Sequence, residues 1–233
     1  MRDVRERLAI ALDVDDMVAA LRLARKMRPF FGIAKVGLEL FAAAGPETVS
    51  ALTVEGYRVF VDLKLHDIPT TVRRAARVLG GLGAAYATVH TAGGEEMVRA
   101  AVEGMSAGAA SSGAPEPSVL GVSVLTSAGS AEPETLVELA KLAGRAGCGG
   151  LVCAVGDLEA VRSAAPGLLT VVPGIRPEGV PAQEQVRTGT PAEAIGNGAD
   201  ILVVGRAVTA ADDPLAAAAG ILEEVSAALE TLS

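Results

Sequence analysis

Eight short runs of apolar, often β-branched residues recur along the chain, at 7–14, 32–40, 57–65, 85–91, 119–127, 150–155, 168–175 and 200–208. They are mostly apolar at consecutive positions, which is how strands buried on both faces read. Between them stand segments with apolar residues three and four apart, at 15–27, 69–82, 93–105, 132–144 and 212–229, with a weaker one at 157–165. Strands covered on both faces and separated by helices require a parallel sheet with the helices outside it. Eight such units in 233 residues predict a single-domain (β/α)8 TIM barrel over 1–233. A doubly wound sheet is the rival. It ordinarily opens on a Gly-rich dinucleotide loop, but the first strand here ends in "LDVDD", and neither GxGxxG nor GxxxxGK[ST] occurs. The small, polar stretch 106–118 reads as a loop entering the fifth strand, because cutting the chain there would leave each half-barrel with an exposed apolar sheet.

Aromatic residues make up only 3% of the chain, so the core must be built from Ala, Val, Leu, Ile and Gly. The net charge of −8 argues against nucleic-acid and anionic-membrane partners, which select basic patches, but leaves room for a small anionic ligand at a local positive site. Cys148 and Cys153 lack metal-site spacing and read as small buried hydrophobes in a reducing cytoplasm. The N-terminal "MRDVRERLAIALDV" reads as a strand rather than a signal peptide, and no apolar run reaches 18 residues, so no membrane span is expected.

In a barrel of this kind the chemistry stands at the C-terminal ends of the strands. Those ends carry Asp13, Lys35, Asp62 with Lys64, His90, Thr126 with Ser127, Arg176, and Gly205 with Arg206. Period-two alternation puts Asp62, Lys64 and His66 on one face of the third strand, alternate positions being about 6.5–7 Å apart. Asp62 and Lys64 are therefore placed to flank one reacting group. Asp67 is out of step and falls with Ile68 on the loop before a helix that starts at Pro69, free to reach a neighbouring subunit. The competing reading of Asp62 and Lys64 is a structural ion pair, a costly device inside a barrel. Asp13 and Lys35 on adjacent strands favour an arranged network, whose acids keep each lysine charged as a proton donor or electrostatic stabiliser. Strands seven and eight each set a Gly beside an Arg where such barrels commonly bind phosphate. The polar stretch 176–190 between them reads as a lid or as an ordinary surface loop, and Arg206 beside it favours the lid. His66 reads as support for the acting residues. His90 reads either as floor of the site or as a satisfied core histidine.

"DLKLHDIPTT" (62–71) resembles the D-x-K-x-x-D-I-P signature of the orotidine 5'-phosphate decarboxylase family, in its bacterial class. "ALDV", "KVG", "VLTS", "PGIRP" and "VVGRAVT" follow in the family's order, so the resemblance spans nearly the whole chain. It implies decarboxylation of orotidine 5'-monophosphate to UMP and CO2, the last step of pyrimidine synthesis, with no metal or organic cofactor. It implies Lys64 as proton donor to C6, Asp62 against the substrate carboxylate, and Lys35 and Asp13 on the ribose hydroxyls. Thr126 would contact the base, and Arg176, Gln185, Gly205 and Arg206 the phosphate. Asp67, Ile68 and Thr71 would cross a homodimer interface into the partner's site. The nearest alternative is a magnesium-dependent sugar-phosphate decarboxylase of the 3-keto-gulonate-6-phosphate type, against which "HDIPTT" and "PGIRP" weigh. A non-catalytic phosphate-binding barrel is the other, and it has no need of a lysine between two acids.

Overall fold

In the computed structural model, which describes residues 3–124, 132–178 and 187–232, each of the eight apolar runs holds a strand. β1 (Leu8–Ala11), β2 (Ile33–Val36), β3 (Arg58–Leu65), β4 (Tyr86–His90), β5 (Ser118–Val122), β6 (Gly150–Val152), β7 (Leu169–Val172) and β8 (Ile201–Val204) pair in chain order, all parallel. β8 closes on β1, with Leu8 opposite Leu202. Outside them lie α1 (Met17–Met27), α2 (Leu38–Ala44), α3 (Glu47–Val54), α4 (Pro69–Gly81), α5 (Gly94–Ser112), α6 (Pro133–Arg145), α7 (Leu158–Ala164), α8 (Pro191–Gly196), α9 (Arg206–Thr209) and α10 (Pro214–Thr231). The (β/α)8 barrel expected from the alternation is the observed fold. Among the described residues no helix is long and apolar enough to cross a membrane.

Strand alternation divides the core in two. Ala9, Ala11, Ile33, Phe60, Tyr86 and Leu120 fill the lumen together with residues of β7 and β8. Leu8, Ile10, Val59 and Val61 face the other way and pack against the helices. Both cysteines are free and buried, as expected, and burial pushes their thiols up to about 12, far from the reactive range.

Several boundaries differ from the sequence reading. The second run was expected to stay extended to residue 40, but α2 begins at Leu38, directly after Gly37. The eighth strand stops at Val204, and α9 takes up Arg206–Thr209. The short helices α2, α3, α8 and α9 give too few turns for a periodic signal to be read. The expected helix 93–105 runs on to Ser112 and ends at Gly113 in the left-handed conformation, so only the last part of 106–118 is loop. Its glycines are helical contact points. A Cβ on Gly108 would lie 2.0 Å from the Arg77 carbonyl oxygen, and one on Gly104 would lie 2.3 Å from that of Arg73. α4 therefore rests backbone-to-backbone on α5. This fixes the helix that starts at Pro69, immediately after Asp67 and Ile68.

Candidate active site

A cleft opens at the C-terminal mouth of the barrel, and its three walls differ in chemistry. The first comes from β1 to β3. Phe60 points into the lumen, so alternation carries Asp62 inward as well. Lys64 Nζ donates to both Asp62 carboxylate oxygens at 2.8 Å. Lys35, almost fully buried on β2, places its Nζ 3.1 Å from Asp13 Oδ1 and 3.8 Å from Asp62 Oδ2. The result is one row of alternating charge, Asp13–Lys35–Asp62–Lys64, at the sites read from the sequence. Each lysine lies against a carboxylate, which offsets the cost of drawing its charge into the barrel. Gly37 leaves space for this row, since a Cβ there would stand 3.1 Å from Asp13 Oδ1 and 3.2 Å from Lys35 Nζ. Asp62 and Lys64 were expected to stand apart and flank a reacting group; here they are bonded directly to each other.

The reason is a break in the pleat. Lys64 has φ 51° and is the sole non-glycine with positive φ among the described residues. The β3–β4 register shifts between Val61 and Leu65. At that break the Lys64 backbone N–H donates to Thr88 Oγ1 at 2.9 Å, and the Thr88 hydroxyl donates to Asp62 Oδ1 at 2.9 Å. Thr88 was not singled out from the sequence. The signal was there, because Thr88 lies between Tyr86 and His90 at lumen parity, and a polar residue at a lumen position is unusual. The same break ends the alternation that was to carry His66 inward. His66 is exposed, its ring 5.4 Å from that of His90 at the end of β4. Burial, and then the charges of His66 and Lys64, lower the His90 pKa against the opposing pull of Asp62, so the ring is neutral at pH 7.

The second wall is apolar, formed by Val122, Val124, Val152, Val171 and Val203. The third is cationic. Arg176 follows β7 and Arg206 follows β8, with Gly205 between Arg206 and the strand. Arg176 is only 7% exposed, yet its Nε and Nη1 are buried with no hydrogen-bond partner among the described residues. Burial, then the charge of Arg206, lowers its affinity for its own proton. A buried donor left unmade costs about 1–3 kcal/mol, so this guanidinium is poised for an anion. The chain returning to β8 is tied down beside it. Arg176 N donates to Gly189 O at 3.0 Å, and Arg187 Nη1 donates to both Asp157 carboxylate oxygens at 2.9 and 2.8 Å.

Asp67, Ile68 and Thr71 are exposed and lie outside this cleft; Ile68 N donates to Asp67 Oδ1 at 2.6 Å. Thr126, Ser127 and Gln185 lie outside the described residues. Among the described residues no group of three or more His, Cys, Asp or Glu side chains gathers as a metal site.

Comparison with known proteins gives a consistent result. A family model described as "Orotidine 5'-phosphate decarboxylase / HUMPS family" matches residues 6–221. An orotidine 5'-phosphate decarboxylase of Anaeromyxobacter sp. (strain K) is 50% identical over 227 residues, covering 93% of this chain and 96% of that one. The protein of the same name from Moorella thermoacetica is 42% identical, covering 95% of this chain and 92% of its own. The crystal structure of orotidine 5'-phosphate decarboxylase from Lactobacillus acidophilus superposes with a TM-score of 0.79 at 33% identity, covering 94% of this chain and 99% of that one.

Proposed function

The chain belongs to the orotidine 5'-phosphate decarboxylase / HUMPS family, and from that premise we propose how its barrel mouth converts orotidine 5'-monophosphate to UMP and CO2. The observation that carries the proposal is one cleft with the row ending at Lys64 on one side and, on another, the buried Arg176 nitrogens that no described residue bonds. A nucleoside monophosphate has a matching division. Its phosphate suits Arg176 and Arg206 with the approachable backbone of Gly205, its ribose hydroxyls suit Asp13 and Lys35, and its ring suits the valine wall. Thr126 serves the base, and Gln185 the phosphate.

The substrate carboxylate enters beside Asp62 and takes up Lys64 Nζ, loosening the 2.8 Å pair. The bond from C6 to the carboxylate breaks and CO2 departs. The electron pair stays on C6, stabilised by the fixed ammonium of Lys64. A proton moves from Nζ to C6 to give UMP, and Lys64 is reprotonated from solvent. Asp62 beside the substrate carboxylate adds ground-state repulsion. Phosphate binding far from C6 supplies energy for closing the site over the ring. The chain acts over 1–233 as one catalytic domain, in the cytoplasm, without metal or organic cofactor. It works as a homodimer in which Asp67, Ile68 and Thr71 complete the partner's site.

The direct test follows the ultraviolet change of orotidine 5'-monophosphate with purified protein, with and without EDTA. Turnover in both arms supports the reading, while activity lost with EDTA points to the magnesium-dependent sugar-phosphate alternative. No turnover in either arm overturns the reading. Arg176→Ala is expected to raise KM by about 10²–10³-fold through the loss of two charge-assisted bonds to phosphate. Because those donors have no partner among the described residues, the melting temperature should hold or rise. A KM within a few-fold of wild type would remove Arg176 from the phosphate site.

A further inference from the structure

Thr88 holds the two groups that matter most. It is 1% exposed on β4, so no solvent water can take over its bonds. The Lys64 backbone N–H can only donate, so at 2.9 Å it uses Thr88 Oγ1 as acceptor. That leaves the single hydroxyl proton to be given, and Asp62 Oδ1 stands 2.9 Å away to receive it. The direction of both bonds is therefore forced. They lie where the β3–β4 ladder slips and where Lys64 takes φ 51°. A left-handed residue with a Cβ is strained, and it persists only where its surroundings hold it. The Thr88 hydroxyl replaces the ladder bond that the slip removes. It also fixes the Asp62 carboxylate to which Lys64 Nζ is bonded.

We propose that Thr88 is a positioning residue: its hydroxyl locks the strained backbone of Lys64 and the Asp62 carboxylate in register, setting where the Lys64 ammonium stands. This inference rests on the decarboxylase reading. Thr88 is not among the residues that line the cleft, whereas Arg176, Arg206 and the valine wall are. Its loss therefore displaces the proton donor and leaves the grip on substrate in place.

The experiment compares wild type with Thr88→Val, Thr88→Ala and Thr88→Ser, using orotidine 5'-monophosphate as substrate and UMP as binding probe. Valine keeps the shape and removes the hydroxyl; alanine removes it without adding bulk, should the valine variant not fold. Thr88→Val, or Thr88→Ala in its place, should lower kcat by about 10²-fold, the scale of a small misplacement at a reacting centre, with KM and the UMP dissociation constant within about 3-fold. Thr88→Ser should restore kcat to within about 5-fold, since only the hydroxyl is needed. The inference is overturned by a hydroxyl-free variant with wild-type kcat, by a loss confined to KM, or by serine being as impaired as alanine, which would assign the effect to packing. An inactive wild type would instead overturn the decarboxylase reading beneath it; an active wild type with an unaffected Thr88→Val strikes this inference alone.

Discussion

Lys64→Ala is expected to lower kcat by at least about 10⁴-fold, because one substitution removes two effects: a fixed cation beside the developing charge and the proton that quenches it, each worth about 10²-fold or more. The barrel should survive. Asp62 keeps its bond from Thr88 and has Lys35 at 3.8 Å, so its charge is not left alone when Lys64 is lost. The Lys64 side chain is 31% exposed, so its removal opens no sealed cavity. UMP should still bind, since Arg176, Arg206 and the valine wall are untouched. Circular dichroism and UMP titration separate a folded, binding, inactive variant from a collapsed one. A folded variant with more than about a hundredth of wild-type kcat would remove Lys64 as the proton donor, because only one of the two effects would then have been lost.

Why Lys64 stands where it does was only partly legible. The continuous apolar runs specify a parallel sheet buried on both faces, because such strands are stable only under helices. Alternation from Phe60 correctly puts Asp62 in the lumen. It then fails, since the positive φ of Lys64 and the slipped β3–β4 register reset the pleat, and His66 ends up outside against His90. A strain of that kind is invisible in a pattern of residue types, because it is held by a neighbouring strand. Thr88 does that holding from 24 residues away. Position 88 announces a polar lumen residue but not which two groups it bonds. The bond from Arg187 to Asp157 is of the same kind, linking positions 30 residues apart. Within α5 the glycines misled for a different reason. Gly108 falls in the stretch that reads as loop by composition, yet its value, like that of Gly104 in the expected helix, is the missing Cβ that lets α4 and α5 touch.

That contact bears on the other large effect expected. α4 is pinned to α5 at its backbone, so the loop before it presents Asp67 and Ile68 on a rigid base. Both are exposed, Ile68 at 66%, and neither reaches the cleft of its own chain. An acid in line with the catalytic signature but outside the site, beside an exposed isoleucine, suits a surface that completes a second copy. If so, Asp67→Ala and Lys64→Ala are each inactive, for reasons that lie on different chains. A mixed dimer then contains one site with both defects and one with neither. Random exchange at equal amounts makes about half of the dimers mixed, each with one intact site of two, so about a quarter of wild-type activity should return, as two-fold symmetry requires. The KM of the recovered activity should equal that of wild type, because the surviving sites are whole. Tagging one variant and capturing the other with it establishes that exchange took place. Mixtures that exchange yet stay inactive would place Asp67 within its own chain's site, and the shared-site arrangement would fall while the role of Lys64 stood.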